Sequence, residues 1–95
     1  MNNKLAKCQI LRTNGDVCNH YFKGEKATLE ECQKLVDGNI EVLRLDSQKM
    51  MIVNEDGLFR QLDRNEPAIN YLYDYGITQV PIVGDVFIID VKFFD

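Results

Sequence analysis

The chain has 95 residues, of which 45% are apolar and 27% are charged, and it carries a formal net charge of −4. This length and composition predict one ordered globular domain over residues 1–95. The acidic balance argues against a basic surface for nucleic acid and against a polybasic segment for anionic lipid. The longest apolar stretch, Val86 to Ile89, is too short to span a bilayer, and no signal-peptide-like apolar segment follows Met1 to Lys7. We therefore expect a cytoplasmic protein without a nucleic-acid or membrane partner.

The first 25 residues are predicted to form an N-terminal β-hairpin, with both strands inside residues 4–23. A two-residue turn would pair Thr13 with Asp16, whereas a three-residue loop with Gly15 in the left-handed conformation would pair Arg12 with Asp16. We favour the three-residue loop because a slip by one residue would scatter the apolar side chains over both faces. The favoured register pairs Ala6 with Phe22, Cys8 with His20, and Ile10 with Cys18.

Residues 26–95 are predicted to hold two helices. The first helix spans Leu29 to Val36, because Thr28 and Glu31 form a capping box before it and Gly38 suits the left-handed residue that ends it. Turn residues then separate three short strands, expected over 39–45, 50–54 and 58–62.

A second helix is predicted over residues 66–75, with Asn65 as its N-cap and Pro67 in its first turn. The last strand, over residues 86–94, alternates apolar residues with a face that carries Asp90 and Lys92, which predicts one face on the core and the other partly exposed to solvent. The order ββαβββαβ predicts the α+β class, with two short helices on a small antiparallel or mixed sheet. One buried cluster is expected to hold apolar residues from both helices and the last strand: Leu29, Val36, Ile69, Leu72, Phe87, Ile89 and Val91.

Three cysteines and the single histidine form a candidate zinc site. The favoured register places Cys8, Cys18 and His20 on one sheet face, and the first helix should cover that face with Cys32. However, the chain has no Cys-x-x-Cys pair, and free cysteine is among the most buried residue types. We therefore expect core packing, with no bound metal and no other cofactor. An odd number of cysteines also implies no disulfide framework.

No catalytic constellation is visible in the sequence. Neither of the glycine-rich phosphate-binding patterns occurs, and no carboxylate at a known spacing would orient His20 as a general base. The enzyme alternative is a metal-assisted hydrolase that uses His20 and Asp85, which would need both side chains in one cleft. We expect a protein that is not an enzyme.

Aromatic and basic residues gather around the second helix. The start of a helix attracts anions, and aromatic rings beside guanidinium groups can hold a nucleotide or a protein partner. The alternative, to which we give equal weight, is a tyrosine pair that simply covers a small core. The candidate ligand-binding residues are Arg60, Arg64, Asn65, Tyr71 and Tyr75.

Four short stretches carry a family resemblance: residues 35–42, 51–57, 62–68 and 82–86. They are similar to a Val-Gly-Gly-x-Ile-Glu-Val step, a Val-x-Glu-x-Gly turn, a Leu-Pro-x-Asn helix entry and a late Gly-Asp pair. On these motifs, residues 26–95 resemble a bacterial and phage family of domains of unknown function, the one numbered 3846. Asp37 stands where the family pattern has its first Gly, and Asp63 where it has Pro.

The resemblance implies a phage or mobile-element setting and assigns no activity. Together with the absence of a catalytic constellation, it predicts a binding protein that acts against a host defence. A homo-oligomer is expected because a chain this short buries only a modest core, and pairing with a copy of itself would bury more apolar area. The protein would sequester a small nucleotide-like ligand at a subunit boundary. The alternative is an inhibitor that blocks a host protein by surface complementarity.

Overall fold

A five-stranded antiparallel sheet is the central layer of the computed structural model, which describes residues 4–94. Its strands lie side by side in the order β2-β1-β5-β4-β3. The predicted α+β class and the antiparallel sheet are confirmed. The elements in chain order are β1 (Lys7–Leu11), β2 (Val17–Tyr21), α1 (Leu29–Val36), β3 (Ile40–Arg44), β4 (Lys49–Asn54), α2 (Glu66–Tyr73), β5 (Val86–Asp90) and a 3₁₀ turn (Val91–Phe93).

The two helices cover opposite faces of this sheet. Val36 of α1 packs in one cluster with Phe87 and Ile89, whereas Leu72 of α2 packs in a second cluster with Ile88. The central strand β5 supplies both clusters, because successive side chains of a strand point to opposite faces. Within residues 4–94, neither helix has the length and apolar character needed to cross a membrane.

The prediction of one core cluster was therefore wrong. Ile69 and Leu72 lie on the α2 side of the sheet, separated from Val36 by the strands. Leu29, predicted to be buried, is 59% exposed. The prediction that one face of the last strand is partly exposed to solvent was also wrong. A central strand that is covered on both faces is a continuous apolar run, here Val86 to Ile89.

Two predicted strand segments take other conformations. Residues 58–62 form turns rather than a strand, and Gln61 has φ 58°, in the left-handed region. The element order is consequently ββαββαβ. The last strand ends at Asp90, whose carboxylate accepts a hydrogen bond from the Lys92 N–H and caps the 3₁₀ turn.

The favoured hairpin register is confirmed. Cys8 lies opposite His20, Ile10 lies opposite Cys18, and the Arg12 N–H donates to the Asp16 carbonyl at 2.9 Å. Gly15 has φ 97°, as the three-residue loop requires.

The predicted capping box of α1 is present, but the helix ends differently from the prediction. Thr28 Oγ1 accepts from the Glu31 N–H at 3.2 Å, and the Glu31 carboxylate accepts in return from the Thr28 N–H. At the other end the left-handed residue is Asp37 (φ 61°, ψ 45°), one position before the predicted Gly38. The amide of buried Asn54 donates to the carbonyls of Val36 and Asp37, which ties this helix end to β4.

The N-cap of α2 is the most interior polar group of the fold. Asn65 is 0% exposed, and its Oδ1 accepts from the Ala68 N–H at 3.0 Å, as an N-cap does. Its Nδ2 donates to the carbonyls of Leu11 at 2.9 Å and Gly84 at 2.8 Å. One side chain thus joins α2 to the end of β1 and to the turn before β5.

Replacing Asn65 by Ala should lower the free energy of unfolding by about 3 kcal/mol, because it removes a cap and leaves two buried carbonyls without donors. Asn65→Asp keeps the cap acceptor but brings a carboxylate against those carbonyls, so it should be destabilising too. Urea denaturation measures both effects. The matched control is Asn70→Ala on the exposed side of the same helix, which should change stability by less than about 0.5 kcal/mol. An Asn65→Asp variant as stable as the parent would show that the two donated hydrogen bonds are dispensable.

Replacing Asp37 by Gly should give a more stable protein than replacing it by Ala, by about 1 kcal/mol. Both variants lose the exposed carboxylate, but only Ala keeps a Cβ in the left-handed conformation. Chemical denaturation of the two variants side by side isolates this backbone term. Equal stabilities would mean that the left-handed conformation at Asp37 carries no strain.

Candidate ligand-binding groove

The five predicted ligand residues do not form one site. Arg60 donates to the backbone carbonyl of Asp37 at the end of α1, and a second guanidinium nitrogen lies 3.2 Å from the Asp37 carboxylate. Arg64 pairs with Glu66 at 2.6 Å on the exposed start of α2. Asn65 is fully buried, and its amide already bonds to three backbone groups. Asn65 therefore positions α2 and cannot touch a ligand in this structure, which corrects its predicted role.

Tyr71 and Tyr75 are both half-buried, and Tyr71 packs against the α2 cluster, as the alternative of a tyrosine pair that covers the core describes. The rings of Tyr71 and Tyr75 are stacked, with centroids 5.7 Å apart and planes 28° apart. Burial, together with a hydrogen bond to Tyr75, raises the pKa of Tyr71 to about 12. The Tyr71 hydroxyl consequently stays protonated at neutral pH. Of the five predicted residues, Tyr71 lies beside the largest concentration of lysines in the molecule.

A groove lies on the α2 side of the sheet, beside the part of that face which the α2 cluster covers. The cluster under α2 takes side chains from β1, β4 and β5, such as Leu11, Met51 and Ile88. The β1–β2 end of this face is left open.

The open face forms the lysine groove, a hollow of about 280 Å³. Gln9 and Asn19 lie opposite each other on β1 and β2 and form its floor. Tyr71 forms one wall, and Tyr21, which is 61% exposed, lies towards the sheet edge. The charged residues of the lining are three lysines, Lys7, Lys49 and Lys92, and one carboxylate, that of Asp90.

A second hollow adjoins the lysine groove and extends its positive charge. The two share Lys7, Tyr21 and Lys92, and the second adds Lys4 and Lys26. Five of the seven lysines of the chain thus line this region, against two carboxylates, in a protein whose net charge is −4. Within residues 4–94 every ion pair is made by an arginine, so the lysines here hold no carboxylate within 4 Å.

Sequence reasoning missed these lysines. Lys7, Lys49 and Lys92 come from β1, β4 and the final 3₁₀ turn, and they meet only because β5 lies between β1 and β4 in the sheet, whereas Lys4 and Lys26 lie outside the strands and helices. The sequence held one signal for this site. Lys7 and Lys49 each begin a strand, and their side chains lie on the other face of the sheet from those of Cys8 and Met50. Without the strand order, that signal cannot bring them together.

The candidate zinc residues are only partly gathered. The register puts Cys8, Cys18 and His20 on one sheet face as predicted, and Cys8 and Cys32 are buried in the α1 cluster. Cys18 is exposed. In the part of the chain that the structure describes, no group of three potential ligands is close enough to hold a metal ion. Burial raises the pKa of Cys8 to about 12 and that of Cys32 to about 11, so both thiols are protonated at neutral pH.

Asp85 and His20 lie at different ends of the hairpin. Asp85 accepts from the Thr13 N–H at 3.0 Å and from the Arg12 guanidinium at 3.2 Å, and so fixes the hairpin turn to the entrance of β5. His20 packs its ring edge against Phe22, with centroids 5.1 Å apart. His20 lies four strand positions from Asp16, the partner of Arg12 beside the turn. At 3.3 Å per residue, this separation is about 13 Å. The geometry does not offer the shared cleft that the hydrolase alternative requires.

A family model described as a domain of unknown function, DUF3846, matches residues 10–92. The match begins within β1 and ends in the final 3₁₀ turn, so it includes most of the N-terminal hairpin, which the resemblance noted above leaves out. Comparison with curated proteins and with solved structures found no match.

Treating the protein with a strong chelator should leave its melting temperature unchanged, because the buried thiols pack as apolar groups in the α1 cluster. A structural zinc would carry much of the folding energy of so small a domain. Thermal denaturation followed by circular dichroism, with and without chelator, makes the measurement. A large drop would show that Cys8, Cys32 and their neighbours hold a metal after all.

Proposed function

The chain belongs to the DUF3846 family, and we propose that it is a non-enzymatic protein that binds a small nucleotide-like anion in the lysine groove. The observation that carries the proposal is the concentration of lysines beside exposed Tyr21 and half-buried Tyr71 on one open sheet face. In a host cell, a phage or mobile-element protein that removes a nucleotide signal in this way would counter a defence. This setting rests on the family resemblance and not on the groove.

The groove supplies the two kinds of contact that a nucleotide needs. Lysine ammonium groups attract phosphate oxygens, and a hydrogen bond to a charged group is worth about 1.5–3 kcal/mol. Tyr21 and Tyr71 offer ring faces or edges to a base, and the amides of Gln9 and Asn19 can donate to and accept from base edges. Pockets that bind small molecules usually measure about 300–1,000 Å³, so the groove and the adjoining hollow together suit a mononucleotide or dinucleotide.

The proposal replaces most of the ligand residues expected from the sequence but keeps the ligand class. Tyr71 remains a wall of the site, with Tyr75 stacked behind it. Arg60 and Arg64 hold Asp37 and Glu66 instead of facing the groove. Their roles are structural in this account.

Lys49→Ala should weaken the binding of nucleotides by about 1.5–3 kcal/mol, and Tyr21→Ala by about 1–3 kcal/mol through lost stacking. Calorimetry against a panel of cyclic and linear nucleotides measures both. Inorganic pyrophosphate separates the two contacts, because it should respond to Lys49→Ala and not to Tyr21→Ala.

Two exposed residues outside the groove provide matched controls. Lys34 lies on α1, on the other face of the sheet, and Tyr73 is 56% exposed on the flank of α2 near Arg64. Lys34→Ala and Tyr73→Ala should leave nucleotide binding unchanged. Failure of every panel member to bind would contradict the proposal, and a loss confined to Tyr73→Ala would move the site to the Arg64 side of α2.

One observation favours the alternative of an inhibitor that blocks a host protein. Leu58 and Phe59 follow one another in the turns after β4 and are 61% and 90% exposed. Aromatic side chains such as Phe are enriched at protein interfaces. Loss of a captured partner on Phe59→Ala, with nucleotide binding absent, would support this second function.

A further inference from the structure

We propose that the outer edge of β2 is the docking site for β2 of a second copy of this chain. In the described residues β2 is the last strand of the sheet on the β1 side, so nothing there covers its outer edge. The proposal concerns an antiparallel β2–β2 pair that continues one sheet through both copies.

The backbone groups available for this pairing follow from the hairpin register. The Arg12 N–H donates to the Asp16 carbonyl and the Phe22 N–H donates to the Ala6 carbonyl, so in this register the even positions of β2 direct their N–H and C=O groups towards β1. The odd positions, Val17, Asn19 and Tyr21, therefore direct theirs outwards. A twofold axis at Asn19 would place Asn19 opposite its own copy and Val17 opposite Tyr21, all as hydrogen-bonded pairs.

The side chains of β2 suit this register. Val17 and Tyr21 are 51% and 61% exposed on the groove side of the sheet, and a β-branched residue opposite an aromatic one is a favourable cross-strand pair. The twofold axis forms this pair twice. It also brings the Asp16 end of each strand to the Lys23 end of its partner, which places opposite charges together.

The other edge of the sheet, formed by β3, differs from the β2 edge in carrying charged residues. Edge strands are commonly protected from pairing by charged residues or proline. β3 carries Glu41 and Arg44, whereas β2 reads Val-Cys-Asn-His-Tyr, without Lys, Arg, Asp, Glu or Pro. The unprotected edge is thus the one that borders the lysine groove.

The pairing would join the two grooves on one face. Antiparallel strands related by an axis through the sheet keep the same faces together, so Asn19 and Tyr21 of both copies would form the middle of one basin. The outer walls would be the two α2 helices. The joined basin rests on the proposed function, whereas the strand pairing does not depend on any ligand.

Sedimentation and light scattering of the full chain without nucleotide test the pairing. The parent should be a dimer, and Asn19→Lys and Asn19→Glu should each be monomeric, because each places two like charges in contact at the axis. Mixing these two variants should restore a dimer that contains one copy of each. Val42→Lys, at the middle of the β3 edge, should stay dimeric. Because no ligand is present, this result is independent of the nucleotide titrations.

Amide hydrogen exchange gives a second readout that needs no substitution. The N–H groups of Val17, Asn19 and Tyr21 should become protected as the protein concentration rises, while that of Val42 should not. A parent that is monomeric at all concentrations would overturn the proposal. So would a dimer that survives both Asn19 substitutions, or one that Val42→Lys abolishes.

Discussion

The buried side chain of Asn65 joins three parts of the chain that are far apart in sequence. It caps α2, is fully buried, and holds the carbonyls at the end of β1 and before β5. An interior amide of this kind is stable only when all of its partners are in place, because an unpaired polar group in the core costs about 1–3 kcal/mol. The position of α2 on the sheet, and hence the wall of the lysine groove, depends on this contact. Asn54 does the same at the other face, where it holds the end of α1 to β4.

The two-sided arrangement explains both the core and the groove. Because β5 lies in the middle of the sheet, this one short strand contributes side chains to both clusters. A domain of this size buries a smaller fraction of its surface than a large one does, so a strand that is buried on both faces adds much to its core. Each helix is only eight residues long, so each covers part of its face. On the α1 side, Phe22 and the C-terminal aromatics Phe93 and Phe94 contribute to the cover. On the α2 side no such residue among positions 4–94 covers β2, and the floor of the groove stays open.

Local patterns in the sequence predicted local structure well. The capping box at Thr28, the N-cap at Asn65 and the three-residue loop at Gly15 are all chemical requirements of a few neighbouring residues, and all three are confirmed. The turn at Gln61 was missed because residues 58–62 include apolar side chains that suit a strand equally well. Burial of Leu29 was overestimated because a helix pattern does not reveal how far the sheet beneath it extends. The groove could not be foreseen, since it depends on which strands are neighbours, and this is a long-range property.

The uneven charge of the molecule has a consequence for ligand size. The lysine groove and its neighbouring hollow hold two of the 15 acidic residues, and the rest of the chain holds the other 13. A compact anion can lie entirely within the positive region. A long polyanion such as a nucleic-acid strand would have to continue across negatively charged surface, where each further phosphate meets repulsion over a Debye length of about 8 Å at physiological salt. Under the proposed function, the acidic body of the protein would act as an electrostatic filter, which admits small phosphates to the lysine groove and repels long polyanions.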